Sequence, residues 1–258
     1  GSSYNIPSVL ILAQNGTSNF AEFAKRLGIS TWSDSARFGL SMALGSLEVR
    51  MVDLATAYST FANSGITTPL QTIIRVEKPN GKLIHLSGCP KDSPDLASGS
   101  MVNAEDNVCG SKRTISPNTA YLISDILSDN SARSPAFGNN SILNISTAKV
   151  AVKTGTSNDL KDNWTIGYTN NFLVATWVGN NDNTAMAQQV SIVLSGPLWH
   201  EFMNYALSKT PKTSFEKPDP AAYNVFSHWG FVRKVAYTNI EQLSTYTLVE
   251  VPTKRTAG

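Results

Sequence analysis

Three short runs near the middle of the chain most constrain what it can fold into: Val150–Lys153, Trp164–Tyr168 and Phe172–Val178. Each alternates or concentrates β-branched and aromatic residues, and Thr169-Asn170-Asn171 forms a tight turn between the last two. This spacing predicts an antiparallel meander. The first run ends in Lys153-Thr154-Gly155-Thr156-Ser157. With a side-chain period of 2, Val150, Val152 and Thr154 point one way, and Lys149, Ala151, Lys153 and Gly155 point the other. A fixed cation and a stretch of backbone without a side chain therefore share one face. Such an edge suits an extended acyl substrate that ends in a carboxylate.

Helical patterns precede the meander. Pro7 to Asn15 reads as a short helix with proline in its first turn. Ser18 reads as the cap of a second helix, with Phe20, Phe23, Ala24 and Leu27 on one face and Gly28 as the stop. Asp53 opens a third, striped by Leu54, Ala57, Tyr58 and Phe61 and closed by Asn63-Ser64-Gly65. A hairpin follows, from Thr72 to Glu77 and from Lys82 to Leu86 around Pro79-Asn80-Gly81. Ser116-Pro117 caps a helix whose face is Ala120, Ile123, Ile126 and Leu127. Beyond the meander, Pro197 starts a helix carrying Leu198, Phe202 and Tyr205. The fold class expected is α+β, an antiparallel sheet flanked by helices. Residues 1–208 read as one domain, with the hairpin and a polar insertion at about 71–115. Residues 209–258 read as a linker and tail with short β-like runs (Phe226–Tyr237, Tyr246–Val251).

Composition narrows the function classes. The 258 residues are 41% apolar and 16% charged, enough to bury roughly 70–75% of the unfolded surface without staples. A net charge of +2 with no basic stripe argues against nucleic acid as a partner. No run approaches the length of a membrane span and no signal peptide opens the chain. Gly1-Ser2 is compatible with a cloning scar, and the chain reads as a piece of a longer protein. The two cysteines, Cys89 and Cys109, lie in one Gly/Pro/Ser/Asp-rich stretch without Cys-x-x-Cys spacing, so no metal site is expected. In an oxidising compartment they are a candidate disulfide contributing about 3 kcal/mol; otherwise they are two free thiols.

The motifs resemble the transpeptidase domain of class A penicillin-binding proteins, relatives of the serine β-lactamases. That family carries Ser-x-x-Lys, then Ser-x-Asn, then Lys-Thr-Gly. Ser3-Tyr4-Asn5 with Ile6-Pro7 is similar to the second motif. Lys153-Thr154-Gly155-Thr156-Ser157-Asn158-Asp159 is similar to the third and its continuation. The longer segments Ala43–Val49, Ala57–Gly65, Asp162–Thr169 and Trp177–Asn180 also look like the family, which extends the resemblance over about residues 3–207.

The resemblance implies roles. Ser3 would relay a proton to the leaving amine, and Asn5 would hold a peptide carbonyl of the substrate. Lys153 would orient Ser3 and set the potential that favours a C-terminal carboxylate. Thr154 and Thr156 would hydrogen-bond that carboxylate, with the Thr156 N–H as an oxyanion donor. Gly155 would leave room for substrate or a facing helix. Trp164 and Trp177 are expected to pack within the sheet.

No Ser-x-x-Lys stands upstream of Ser3. Ser146-Thr147-Ala148-Lys149 runs straight into the Lys-Thr-Gly strand, and Ser214-Phe215-Glu216-Lys217 meets Pro218, so both are read as coincidences. The expectation is a fragment of a D,D-transpeptidase that cross-links peptidoglycan stem peptides by serine acyl transfer and is inhibited by β-lactams. It would need no cofactor, act outside the cytoplasmic membrane on an N-terminal anchor absent here, and be inactive alone. Exposed apolar surface would favour self-association or a complementing chain. The alternatives are a non-catalytic sensor of the same fold and, more weakly, a hydrolytic β-lactamase.

Overall fold

A computed structural model describes residues 2–73, 75–86, 111–186, 191–211 and 213–217. Cys89 and Cys109, and with them the candidate disulfide, lie outside the described residues, as do the two β-like runs of the tail. One compact unit extends from Gly1 to Lys217. Where the sequence suggests a linker from Lys209, the chain is still held against this unit. Phe215 meets the Tyr168 ring edge-on at 5.7 Å, and Asn170 and Asn171 donate to the carbonyls of Ser214 and Pro211.

The meander forms as its period requires. Strands β5 (Ala151–Thr156), β6 (Asp162–Tyr168) and β7 (Leu173–Gly179) pair antiparallel in that order. Lys153 stands opposite Ile166, Thr154 opposite Thr165 and Gly155 opposite Trp164. One face, bearing Val150, Val152 and Val174, packs on Trp199, Met203 and Leu207 of helix α6 (Ser191–Lys209). Thr165 and Ser195 join the same layer through a buried hydroxyl pair at 2.8 Å. Gly167 permits this packing, because a Cβ there would lie 2.4 Å from Trp199 Cζ2.

The opposite face carries Lys153, Ile166 and Tyr168, and is covered by α3 (Met51–Ala62) and α4 (Pro117–Ser128). Ser116 caps α4 as expected, its Oγ accepting from the Thr119 N–H at 3.1 Å. Tyr168 reaches across to Ser124, hydroxyl to hydroxyl at 3.0 Å, and its ring meets Tyr58 edge-on at 6.2 Å. Burial pushes the Tyr58 phenol up to about 12, and it raises Tyr168 as well, so both stay neutral near pH 7.

At the amino end, α1 (Asn5–Asn15) and α2 (Thr17–Arg26) close a second core around Leu12, Ala21, Met42 and Leu47. The hairpin appears as β2 (Arg75–Glu77) and β3 (Leu83–Leu86), with a register shift at Val76/Glu77. A separate two-stranded ladder pairs β1 (Ile66–Thr67) with β4 (Lys112–Arg113).

Four local expectations are corrected. Gly16, not Ser18, is the residue before α2, which already includes Thr17. Asp53 lies inside the first turn of α3 instead of opening it. There it is buried and accepts from the Ser30 N–H and hydroxyl and from Arg50. Helix α6 begins at Ser191 with Pro197 in its interior. Its residues Leu198, Phe202 and Tyr205 face solvent, while Trp199 and Met203 form the buried stripe. Finally, a helix that the sequence reading left out, α5 (Asn130–Phe137), starts at Asp129, whose side chain accepts from the N–H groups of Ser131 and Ala132.

Candidate active site

Ser3 is separated from Lys153 by 150 positions, yet Lys153 Nζ donates to Ser3 Oγ at 2.5 Å. Two local devices produce the contact. Ser3 adopts φ +56, a left-handed conformation costing about 1–2 kcal/mol for a residue with a Cβ, and Tyr4 then turns into the first turn of α1. Ser2 anchors the same segment by donating its hydroxyl to the Ala132 carbonyl of α5 at 2.8 Å.

Helix α5 also touches the other partner. Arg133, 3% exposed, donates Nη1 to the Leu127 carbonyl at 2.8 Å and reaches the Val152 carbonyl at 3.5 Å. Adjacent residues of α5 therefore hold the immediate neighbours of Ser3 and of Lys153. Burial lowers the Arg133 pKa, with the Asp129 charge opposing, and the group stays cationic. The sequence reading missed α5 and Arg133. The signal that would have found the helix is Asp129-Asn130, a cap residue followed by a turn's worth of residues tolerant of helix.

Lys153 is confined by its surroundings. Its ammonium also donates to the Thr154 carbonyl at 2.6 Å, so two of its three donors are directed within the chain. Burial lowers its pKa from the ordinary lysine value. Because Ser3 Oγ accepts from Lys153, its own O–H proton is left to be donated elsewhere. A cation and a hydroxyl linked in this way can place a proton at a leaving nitrogen and hold a positive field beside it.

The remaining expected residues fall as follows. Asn5 is the first residue of α1, exposed, and its side chain makes no hydrogen bond among the described residues. Thr156 is exposed at the end of β5. Thr154 departs from expectation. Its side chain is 8% exposed and lies on the α6 side opposite Thr165, because the strand period alternates faces, so its hydroxyl is not presented beside Lys153. What Thr154 contributes there is its carbonyl. Gly155 also departs in part: among the described residues a Cβ would meet only the Trp164 Cβ, at an ordinary 3.5 Å, so no facing helix crowds it.

The turn after β5 explains the motif's continuation. Asp159 and Leu160 both take positive φ, at 60° and 54°. Ser157 and Asp162 close this turn with two bonds, Ser157 Oγ donating to Asp162 Oδ2 at 2.8 Å and accepting from the Asp162 N–H at 2.9 Å. Trp177 Nε1 donates to the other carboxylate oxygen at 2.9 Å, and its ring packs beside Trp164 at 6.4 Å. Both tryptophans thus pack at the end of the sheet that carries Gly155.

The two Ser-x-x-Lys strings do not form a helical pair. Residues 146–148 are a turn, and Lys149 is engaged in an ion pair with Asp125 at 2.7 Å. Ser214 is exposed in a segment without regular secondary structure.

By its architecture and its site, this is an α+β domain with a Ser/Lys pair at the edge strand of a helix-covered antiparallel sheet. Residues 1–204 match the family described as penicillin binding protein transpeptidase domain. The chain belongs to that family. It is 25% identical to penicillin-binding protein 1A of Pseudomonas aeruginosa, with 84% of this chain and 29% of that protein covered. The same protein of Neisseria lactamica is 27% identical, with 84% and 25% covered. The chain thus spans about a quarter of the length of the curated relatives it matches. Among solved structures, penicillin-binding protein 1A of Haemophilus influenzae superposes with a TM-score of 0.65 at 23% identity, covering 84% of this chain and 35% of that one. PonA1 of Mycobacterium tuberculosis in complex with penicillin V gives 0.62 at 21% identity, covering 82% and 56%. These structural likenesses establish the shared fold.

Proposed function

We propose that this chain supplies the proton-relay and carboxylate-recognition half of a serine D,D-transpeptidase site in a peptidoglycan synthase. The observation that carries the reading is the hydrogen bond from Lys153 to Ser3. In the reaction, a serine Oγ attacks the carbonyl of the penultimate D-Ala, and the C–N bond to the terminal D-Ala breaks. Ser3 passes the proton that the leaving nitrogen takes up. Lys153 keeps the Ser3 hydroxyl oriented and favours the terminal carboxylate, toward which Thr156 contributes its hydroxyl. The Thr156 N–H serves the oxyanion, and Asn5 holds a substrate carbonyl. β-Lactams, which present the same carboxylate and an acyl carbon with a nitrogen leaving group, would occupy the same groove.

In this reading the nucleophile and its activating lysine come from a Ser-x-x-Lys segment outside the 258 residues. The site then works on the outer side of the cytoplasmic membrane, on stem peptides ending in D-Ala-D-Ala. The apolar face of α1, with Ile6, Leu10 and Ile11 exposed, is the surface through which the chain would self-associate or take up the complementing segment.

Fluorescent penicillin tests this directly. The 258-residue chain is expected to form no covalent adduct, and a chain extended upstream through a Ser-x-x-Lys motif is expected to label stoichiometrically. Stoichiometric labelling of Ser146 or Ser214 in the shorter chain would refute the assignment.

A further inference from the structure

Four cations from three elements distant in sequence meet around one open cavity of about 540 Å3, and none of its lining residues is among those that hold Ser3 and Lys153. Lys25 and Arg26 come from the last turn of α2, Arg50 from the residue preceding α3, and Lys112 from β4. The volume lies within the range typical of small-molecule sites, roughly 300–1,000 Å3.

Among the described residues the charge in this cavity is only partly compensated. Asp53 is its one acidic lining residue, and its carboxylate is already used. Oδ1 accepts from Arg50 Nη2 at 2.8 Å, and Oδ2 accepts from the Ser30 N–H and hydroxyl at 2.9 and 2.7 Å. Burial works to raise the Asp53 pKa, but these bonds outweigh it and hold the carboxyl below its ordinary value. Arg50 and Asp53 therefore neutralise one another. Lys25, Arg26 and Lys112 have no carboxylate within ion-pair distance among the described residues. Arg26 is held over the Phe23 ring at 5.1 Å, which limits the freedom its guanidinium would lose on binding.

Two further features describe the occupant. The amino end of α3 opens on the cavity through Val52 and Asp53, without a side-chain cap, and adds the positive end of its peptide dipoles. Val52, Pro69 and Leu70 supply apolar lining beside the cations. Three cations without a carboxylate partner among the described residues exceed what one carboxylate would satisfy and match a phosphate monoester, with its higher charge and additional acceptor oxygens. The apolar lining suits a phosphate that carries carbon. We propose that this cavity binds a phosphate monoester, either soluble or presented as a lipid headgroup. The inference is independent of the transpeptidase reading.

The test uses the full chain with two probes: glycerol 3-phosphate in solution, and vesicles of phosphatidic acid set against phosphatidylcholine. Two double variants are compared, Lys25→Gln/Lys112→Gln in the cavity and Lys78→Gln/Lys82→Gln on the exposed hairpin, which remove equal charge. The expected result is binding of at least one probe, weakened about tenfold or more by the cavity variant relative to the hairpin variant. Thermal unfolding confirms that both variants remain folded. Binding of glycerol 3-phosphate alone identifies a soluble ester as the source, and binding of phosphatidic acid vesicles alone identifies the headgroup. Failure to bind either probe, or a smaller difference between the two variants, overturns the proposal.

Discussion

Ser2 and Ala132 are joined by a 2.8 Å hydrogen bond that fastens the amino-terminal segment to α5. The next residue along α5, Arg133, engages the strand just before Lys153. The helix therefore acts as a clamp on both sides of the Lys153–Ser3 contact, and its integrity should control the site's geometry.

Arg133→Ala tests the clamp. It removes the donor to the Leu127 carbonyl and empties a buried volume, so it should destabilise the chain by about 2–4 kcal/mol. Chemical denaturation measures this. A change below about 0.5 kcal/mol would mean that the guanidinium contributes nothing net.

Gly167→Ala should be costly despite the small size of the added methyl. The new Cβ would lie 2.4 Å from Trp199 Cζ2 and 2.9 Å from the Ala151 carbonyl oxygen, so either the ring or the strand must move. A loss of about 1–3 kcal/mol is expected from such overpacking, read as a lowered midpoint of unfolding. A midpoint equal to the parent's would show that the sheet and α6 are less tightly packed than described.

The alkaline limb of stability reports on Lys153. Its folded pKa lies below the unfolded value of 10.5, so between the two the unfolded chain binds more protons. Stability contributed by this group should therefore rise with pH across that window, and Lys153→Met should abolish the rise. An unchanged slope in the variant would place the titration elsewhere.

Asp53 governs an acid limb of the same sense, in which stability again rises with pH. Its hydrogen bonds to Ser30 and Arg50 hold the folded pKa below the ordinary 3.8, so its contribution is complete above that value. It is lost as pH falls toward the folded value. Asp53→Asn should lower stability at neutral pH by about 1.5–3 kcal/mol and flatten this part of the acid limb. A variant as acid-sensitive as the parent would contradict the assignment.

How much of this was legible in the sequence depended on whether one pattern had one solution. The meander was, because a period of 2 admits a single register against a buried layer, and Lys153 was placed on its face from alternation alone. The same alternation should have turned Thr154 away from the groove; motif resemblance overrode it. Helix α6 was misread because it carries two apolar stripes, one through Leu198, Phe202 and Tyr205 and the other through Trp199 and Met203. Periodicity alone cannot say which of them meets the sheet. Arg133 was invisible for another reason: a lone arginine in a short polar stretch looks solvated until tertiary packing buries it. The basic cavity likewise gathers residues 25, 26, 50 and 112, which never form a run.

The most direct measurement compares the rate of acylation by a β-lactam in an upstream-extended chain and in its Ser3→Ala and Lys153→Ala variants. Loss of a proton relay or of the group that orients it should slow acylation by about 10²–10⁴-fold, with folding intact by thermal unfolding. Acylation in both variants within about threefold of the parent would contradict the central claim that the Lys153–Ser3 pair forms the reactive edge.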